Sequence, residues 1–163
     1  MPKAKLAEDN LVDAKRQGQA QFDSIKEMVE VLERANESAW EAPPEPFGNF
    51  DEANEAARRT IEEDALSVQV RSGWYTPGAG KEDREPAEYE ILLCTGGPAC
   101  RIVGTLSEHG EPETARLEVQ DWFQPWTEYR PINPADTTFA SRIDTKAESV
   151  MLAYARCFYF GEA

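Results

Sequence analysis

Leu66-Ser67-Val68-Gln69-Val70-Arg71-Ser72-Gly73-Trp74 is the stretch in which the chain changes its period. Leu66, Val68 and Val70 alternate with Ser67, Gln69 and Arg71, a repeat of two that puts successive side chains on opposite faces of a strand. Upstream the apolar residues recur at three and four. From about Asn10 to Trp40 the chain has no Pro and is rich in Ala, Glu, Lys, Gln and Leu, with Phe22, Ile25, Val29, Leu32, Ala35 and Ala39 on one face. That pattern predicts an amphipathic helix. Gly18 weakens its first turns, so the firm part is expected from Gln19, with residues 1–16 a flexible N-terminus. Pro43, Pro44 and Pro46 end the helix. Asn49 or Asp51 caps a second, shorter helix that runs to Asp64, with Ala53, Ala56, Ala57 and Ile61 on its inner face.

Downstream, Thr76-Pro77-Gly78-Ala79-Gly80 and Lys81 to Pro86 form a long polar connection, and further strands are expected at Glu88–Thr95, Ala99–Leu106 and Thr114–Asp121. Their connectors, Gly96-Gly97-Pro98 and Ser107 to Glu113, are short. Short links favour antiparallel neighbours, because parallel strands need a crossover of about a dozen residues or more. Helical spacing returns from Asp144 to about Tyr159, with Ala147, Val150, Met151, Tyr154 and Phe158 on one side and Gly161 as a stop. The order α-α-β-β-β-β-α predicts an α+β fold: a four-stranded antiparallel meander with two N-terminal helices and one C-terminal helix covering one face. Residues 17–163 then form a single domain, with 17–64 its acidic helical part and 65–163 the sheet and last helix.

The chain of 163 residues has 31 Asp plus Glu against 17 Lys plus Arg, a net charge of -14. The imbalance is local: residues 17–64 hold 13 acidic and four basic groups, whereas residues 1–16 hold three and four. Such a charge opposes direct contact with nucleic acid or an anionic membrane and favours a basic protein partner. No run approaches the 18 or so apolar residues of a membrane span, and Met1 to Leu11 lacks the apolar core of a secretory signal. The expected location is the cytoplasm, with Cys94, Cys100 and Cys157 reduced.

The residues that usually carry catalysis are sparse. His109 is the single histidine and lies in the turn Ser107-Glu108-His109-Gly110. No Gly-x-Ser-x-Gly nucleophile turn, phosphate-binding Gly-x-x-x-x-Gly-Lys or strand-linked Gly-x-Gly-x-x-Gly is present. Cys94 and Cys100 bracket a hairpin and would supply half a zinc site, with Cys157 and His109 too distant in sequence to complete one locally. The expectation is a protein that is not an enzyme and holds no cofactor or metal.

Two features point to binding. Asp23, Glu27, Glu30, Glu33, Glu37 and Glu41 recur at three and four, interrupted mainly by Lys26 and Arg34, and would line one helix face. Their spacing of about 5–6 Å is comparable with that of phosphates along a nucleic-acid strand; the alternative is a merely solvated face. The second is Asp121-Trp122-Phe123-Gln124-Pro125-Trp126-Thr127-Glu128-Tyr129, where Trp122 and Trp126 either pack on the sheet or anchor a partner.

Leu66 to Trp74, Glu88-Tyr89-Glu90-Ile91-Leu92-Leu93-Cys94-Thr95-Gly96-Gly97-Pro98, Arg101-Ile102-Val103-Gly104, Gln120-Asp121-Trp122, Pro125-Trp126-Thr127 and the closing Phe158-Tyr159-Phe160-Gly161-Glu162 resemble a family of small uncharacterised proteins of phages, prophages and plasmids. The resemblance covers the second half of the chain. It implies a mobile-element context, in which small acidic proteins inhibit host defence, among them anti-CRISPR and anti-restriction proteins that bind the basic nucleic-acid channel of an effector. It carries over no catalytic residue. The expected function is inhibition of a CRISPR effector or restriction enzyme by carboxylates that occupy its phosphate-binding Lys and Arg. The alternative is a phage accessory or structural protein, homodimeric through the first helix or the aromatic segment.

Overall fold

A computed structural model describes residues 2–37, 39–80, 84–133 and 142–161. Of the connection expected from Thr76 to Pro86, residues 81–83 lie outside the described residues, as do position 38 of the first expected helix and Glu162 of the closing motif.

The chain runs α1 (Pro2–Arg34), α2 (Phe50–Asp64), β1 (Ser67–Ser72), β2 (Pro86–Cys94), β3 (Ala99–Thr105), β4 (Arg116–Gln120), β5 (Thr127–Tyr129) and α3 (Ala147–Ala155). The sheet is an antiparallel meander in the order β1-β2-β3-β4-β5. The α+β architecture is as expected, with a fifth strand. β5 has three residues and pairs Leu117 with Tyr129 and Val119 with Thr127. Three residues are too few for a period of two to register, so the aromatic segment hid a strand.

Gly18 does not interrupt α1. The glycine is buried because the helix crosses β4 and β5 there: a Cβ would lie 2.7 Å from Val119 Cγ1 and 3.1 Å from Tyr129 Cδ1. It is a close-approach glycine rather than a helix breaker. One residue later, the Gln19 amide fastens the helix to the segment leaving β5. Its Oε1 accepts from Tyr129 Oη at 2.7 Å and from the Ile132 N–H at 2.9 Å, while its Nε2 donates to the Ile132 carbonyl at 3.1 Å.

The other end corrects the expected boundary. α1 stops at Arg34, six residues before Trp40, and its exit tightens through i→i−3 bonds from the Ala35 N–H to the Leu32 carbonyl and from the Asn36 N–H to the Glu33 carbonyl. Asn36 competes for backbone partners in the way that makes Asn a poor helix interior residue. At α2 the cap is Asn49, whose side chain accepts from the Glu52 N–H at 2.8 Å. The first turn of α3 is held by Asp144. It is buried, its carbonyl accepts from the Ala147 N–H, and its Oδ1 accepts from the Lys146 N–H at 2.9 Å.

Phe22, Ile25 and Val29 of α1, Ile61 of α2 and Met151, Tyr154 and Ala155 of α3 form one core with Tyr89, Ile91, Cys100, Ile102, Leu117 and Val119 from alternate positions of β2, β3 and β4, and Ala53 and Ala57 of α2 are also buried. α1 lies across β3 and β4 and touches both other helices. Tyr154 ties α3 to α2 by donating from Oη to Asp64 Oδ2 at 2.7 Å. The opposite face of the sheet carries no helix among the described residues.

Candidate functional site

The acidic stripe is shorter on the helix than its spacing implied. Asp23, Glu27, Glu30 and Glu33 stand exposed on α1, whereas Glu37 and Glu41, also exposed, follow the helix end in the connection to α2. One continuous rank of six on a helical face is thus corrected to four on the helix and two beyond it. Among the described residues no ion pair holds Glu27, Glu30, Glu33, Glu37 or Glu41. Lys26, which interrupts the rank in sequence, leans to the buried Asp144 carboxylate at 3.8 Å and so is already committed. Asp23 accepts from Gln19 Nε2 at 2.9 Å. Glu30 and Glu33 also edge a groove shared with Lys26, Asp144 and Lys146, so that flank is mixed in sign. Like charges one turn apart cost a helix a few tenths of a kcal/mol each, so local stability does not explain the rank.

The two tryptophans take different roles. Trp126 lies half-buried on the open face of the sheet with the Arg101 guanidinium 4.1 Å from its ring centroid, a cation–π contact that ties its ring to β3. Trp122 is mostly exposed, and one edge of its ring rests on the β2–β3 hairpin. A Cβ at Gly97 would fall 1.7 Å from its Nε1, so only glycine seats it. Beside Trp122, Phe123 has φ +64 and a fully exposed ring. A bulky residue in left-handed backbone is uncommon, and Phe123 projects further than either predicted anchor. Trp74 is likewise fully exposed. Neither was singled out from sequence, since the pattern marks a strand end at Trp74 and nothing marks the sign of φ at position 123.

On the open face, charges close on each other. Arg71 pairs with Glu88, Arg101 with both Glu90 and Glu118, and Arg116 with Glu118 at 3.2 Å. The hydrogen bond from Arg71 holds the Glu88 carboxyl below its usual range. A depression of about 170 Å³ lies among these groups, but its three arginines are spent on its own carboxylates. His109 is an exposed turn residue with its Nε2 3.6 Å from a Glu108 carboxylate oxygen. No group of three or more His, Cys, Asp or Glu side chains is placed to hold a metal ion among the described residues. No helix among them is long and apolar enough to cross a membrane.

Cys94 and Cys100 face each other directly across β2 and β3, both as free thiols. The neighbouring Cys100 thiol, with the Gln17 amide that donates to Cys94 Sγ at 3.9 Å, lowers the Cys94 pKa to about 7 against the opposing effect of burial. The Cys100 and Cys157 thiols move up. Alkylation by iodoacetamide, followed by peptide mass spectrometry, should therefore favour Cys94. Its rate should rise about tenfold from pH 6 to pH 8 and then level off, while an ordinary thiol of pKa about 8.5 keeps climbing. Equal labelling of Cys94 and Cys157 at pH 7 would contradict the assignment.

No protein-family model matches the chain, and neither does any curated protein or solved structure. A functional reading therefore rests on the chain's own surface. Uncommitted acidic groups lie along α1 and its exit, and uncommitted aromatic groups lie at Trp122–Phe123 and Trp74.

Proposed function

We propose that this protein is an inhibitor of the anti-CRISPR kind, encoded by a mobile element, which occupies the basic nucleic-acid-binding surface of a host defence complex. The observation that carries the reading is the rank Glu27, Glu30, Glu33, Glu37 and Glu41. It is exposed and free of ion pairs among the described residues; Lys26, beside it, is drawn off to Asp144, and Arg34 is the one basic residue within it. A basic channel holds phosphates with Lys and Arg, and Glu27, Glu30 and Glu33, spaced about a helical turn apart on α1, offer those groups a comparable ladder that Glu37 and Glu41 extend beyond the helix end. Exposed aromatics would add apolar contact at the rim, with charge setting the rate of encounter and aromatic burial the residence time. On this reading the protein acts by binding alone, within the host cytoplasm, without touching nucleic acid itself.

The test is capture by tagged protein from lysates containing CRISPR effectors and restriction enzymes, with bound proteins identified after washes at low and high salt. Recovery of a nuclease effector that is lost at high salt supports the reading. Recovery of phage structural proteins alone moves it to the accessory reading, which the uncovered outer strand of the sheet also favours.

A further inference from the structure

β1 is one outer strand of the sheet and the three-residue β5 is the other, so β1 offers the longer unpaired edge. Its inner side chains share a face with the core. Val68 is paired with Ile91 and Val70 with Tyr89, both of which are buried. The long helix α1 sits over β3 and β4, however, and Leu66 stays 59%, Val68 36% and Val70 44% exposed. Of the twelve large apolar side chains exposed among the described residues, five fall within ten positions: Leu66, Val68, Val70, Trp74 and Tyr75. Scattered single apolar residues are ordinary, but a cluster along an open strand edge marks a contact surface.

Natural edge strands are usually guarded by Lys, Pro, inward charges or bulges. β1 contains one charged residue, Arg71, which is neutralised by Glu88, and its only irregularity comes at its end, between Arg71 and Ser72. The sequence is also self-complementary about Gln69. If two copies of Ser67–Ser72 are laid antiparallel with Gln69 on the dyad, Val68 of each faces the partner's Val70, and Ser67 faces the partner's Arg71. A two-fold interface requires that kind of self-matching surface. In the same arrangement whatever leaves the C-terminal end of one β1 lies beside the N-terminal end of the other. Leu66 of each then faces the partner's Ser72, and the fully exposed Trp74, two residues beyond, comes near the partner's Leu66 only on the diagonal. No Asp or Glu lies in β1, but Glu62, Glu63 and Asp64 close the helix just before it, so two copies repel each other near the ends of the paired strands until salt screens them.

We infer that two copies of this chain join through antiparallel pairing of β1 with β1, centred on Gln69, into one continuous ten-stranded sheet. This does not depend on the inhibitory reading, and its salt dependence has the opposite sign. Apolar burial between two acidic copies strengthens as salt screens their repulsion, whereas binding to a basic surface weakens.

Analytical ultracentrifugation of the full chain at about 50 μM in 0.15 M salt tests it. The expected species has twice the 18.3 kDa of the chain, and the dimer fraction should rise with added salt. Val68→Lys with Val70→Lys should give a folded monomer, checked by an unchanged circular dichroism spectrum. Because the double variant could lose structure, Gln69→Cys provides a second arm. Two such cysteines meet at the dyad, so a short bismaleimide should link most of the protein into a covalent dimer, far more than in the wild type or in Glu108→Cys. A wild-type monomer at this concentration, a dimer that survives both lysines, or no crosslink above the controls would overturn the proposal.

Discussion

Glu27→Gln, Glu30→Gln and Glu33→Gln introduced together are expected to weaken binding to a basic nucleic-acid-handling partner by about 10- to 100-fold, with the fold unchanged. Each exposed ion pair is worth up to about 1 kcal/mol, and three lost together give a change of that size. Glutamine keeps the length and helical preference of glutamate, and the three side chains are exposed on α1 without partners in the described structure, so stability should hold. Net charge changes by three, and long-range steering would weaken for that reason alone. The control is therefore Glu108→Gln, Glu111→Gln and Glu113→Gln, which removes the same charge from the exposed turn around His109. Association measured by surface plasmon resonance should fall modestly in the control and steeply in the α1 triple. Equal losses in both would show that charge alone matters and that the rank on α1 has no special place.

Gly104→Ala is expected to be the most damaging single substitution outside the core side chains, at about 3 kcal/mol. Gly104 is buried in β3, and a Cβ there would stand 1.9 Å from the Thr114 carbonyl oxygen and 2.8 Å from Tyr89 Cε1. The carbonyl cannot step aside freely, because it accepts the Tyr89 hydroxyl at 2.7 Å. The Thr114 hydroxyl is also bonded to the Thr105 N–H at 2.9 Å. Removing glycine's freedom in the unfolded chain favours alanine by up to about 1 kcal/mol, which is too little to offset backbone displacement. At this chain length the loss corresponds to a fall in Tm of about 6–12 °C. Gly80→Ala, with no atom within 4 Å of the added carbon, should be neutral. A loss below about 1 kcal/mol for Gly104→Ala in urea denaturation would contradict the close packing of β3 on the turn that follows it.

Elements with a long, clean period were legible. The alternation at Leu66–Val70 marked the change from helix to sheet, and Phe22, Ile25 and Val29 together with Ala53, Ala57 and Ile61 marked the faces that are buried. What misled was glycine and short range. Gly18 read as a weak point because sequence shows its helix propensity and not the approach of Val119 and Tyr129. β5 is specified by its pairing with β4 and not by its own three residues. The helix end at Arg34 turns on backbone competition over a few residues, and it decides whether Glu37 and Glu41 belong to the helical rank. Of the candidate site, the exposure of the six carboxylates was readable from their spacing. The diversion of Lys26 to Asp144 was not, since the two are 118 positions apart. Trp126 could not be assigned without Arg101 above its ring, because an aromatic in sequence is equally suited to a core, a cation–π stack or an interface.

The most direct measurement is competition on a purified CRISPR effector holding a fluorescent nucleic-acid ligand, with this protein titrated in at 50 and 200 mM salt. If its carboxylates take the place of phosphates, the ligand should be displaced stoichiometrically at low salt, with at least about tenfold weaker displacement at 200 mM and none by the α1 triple variant at matched concentration. A stable ternary complex with the ligand still bound, or displacement that is indifferent to salt, would contradict the proposed mimicry.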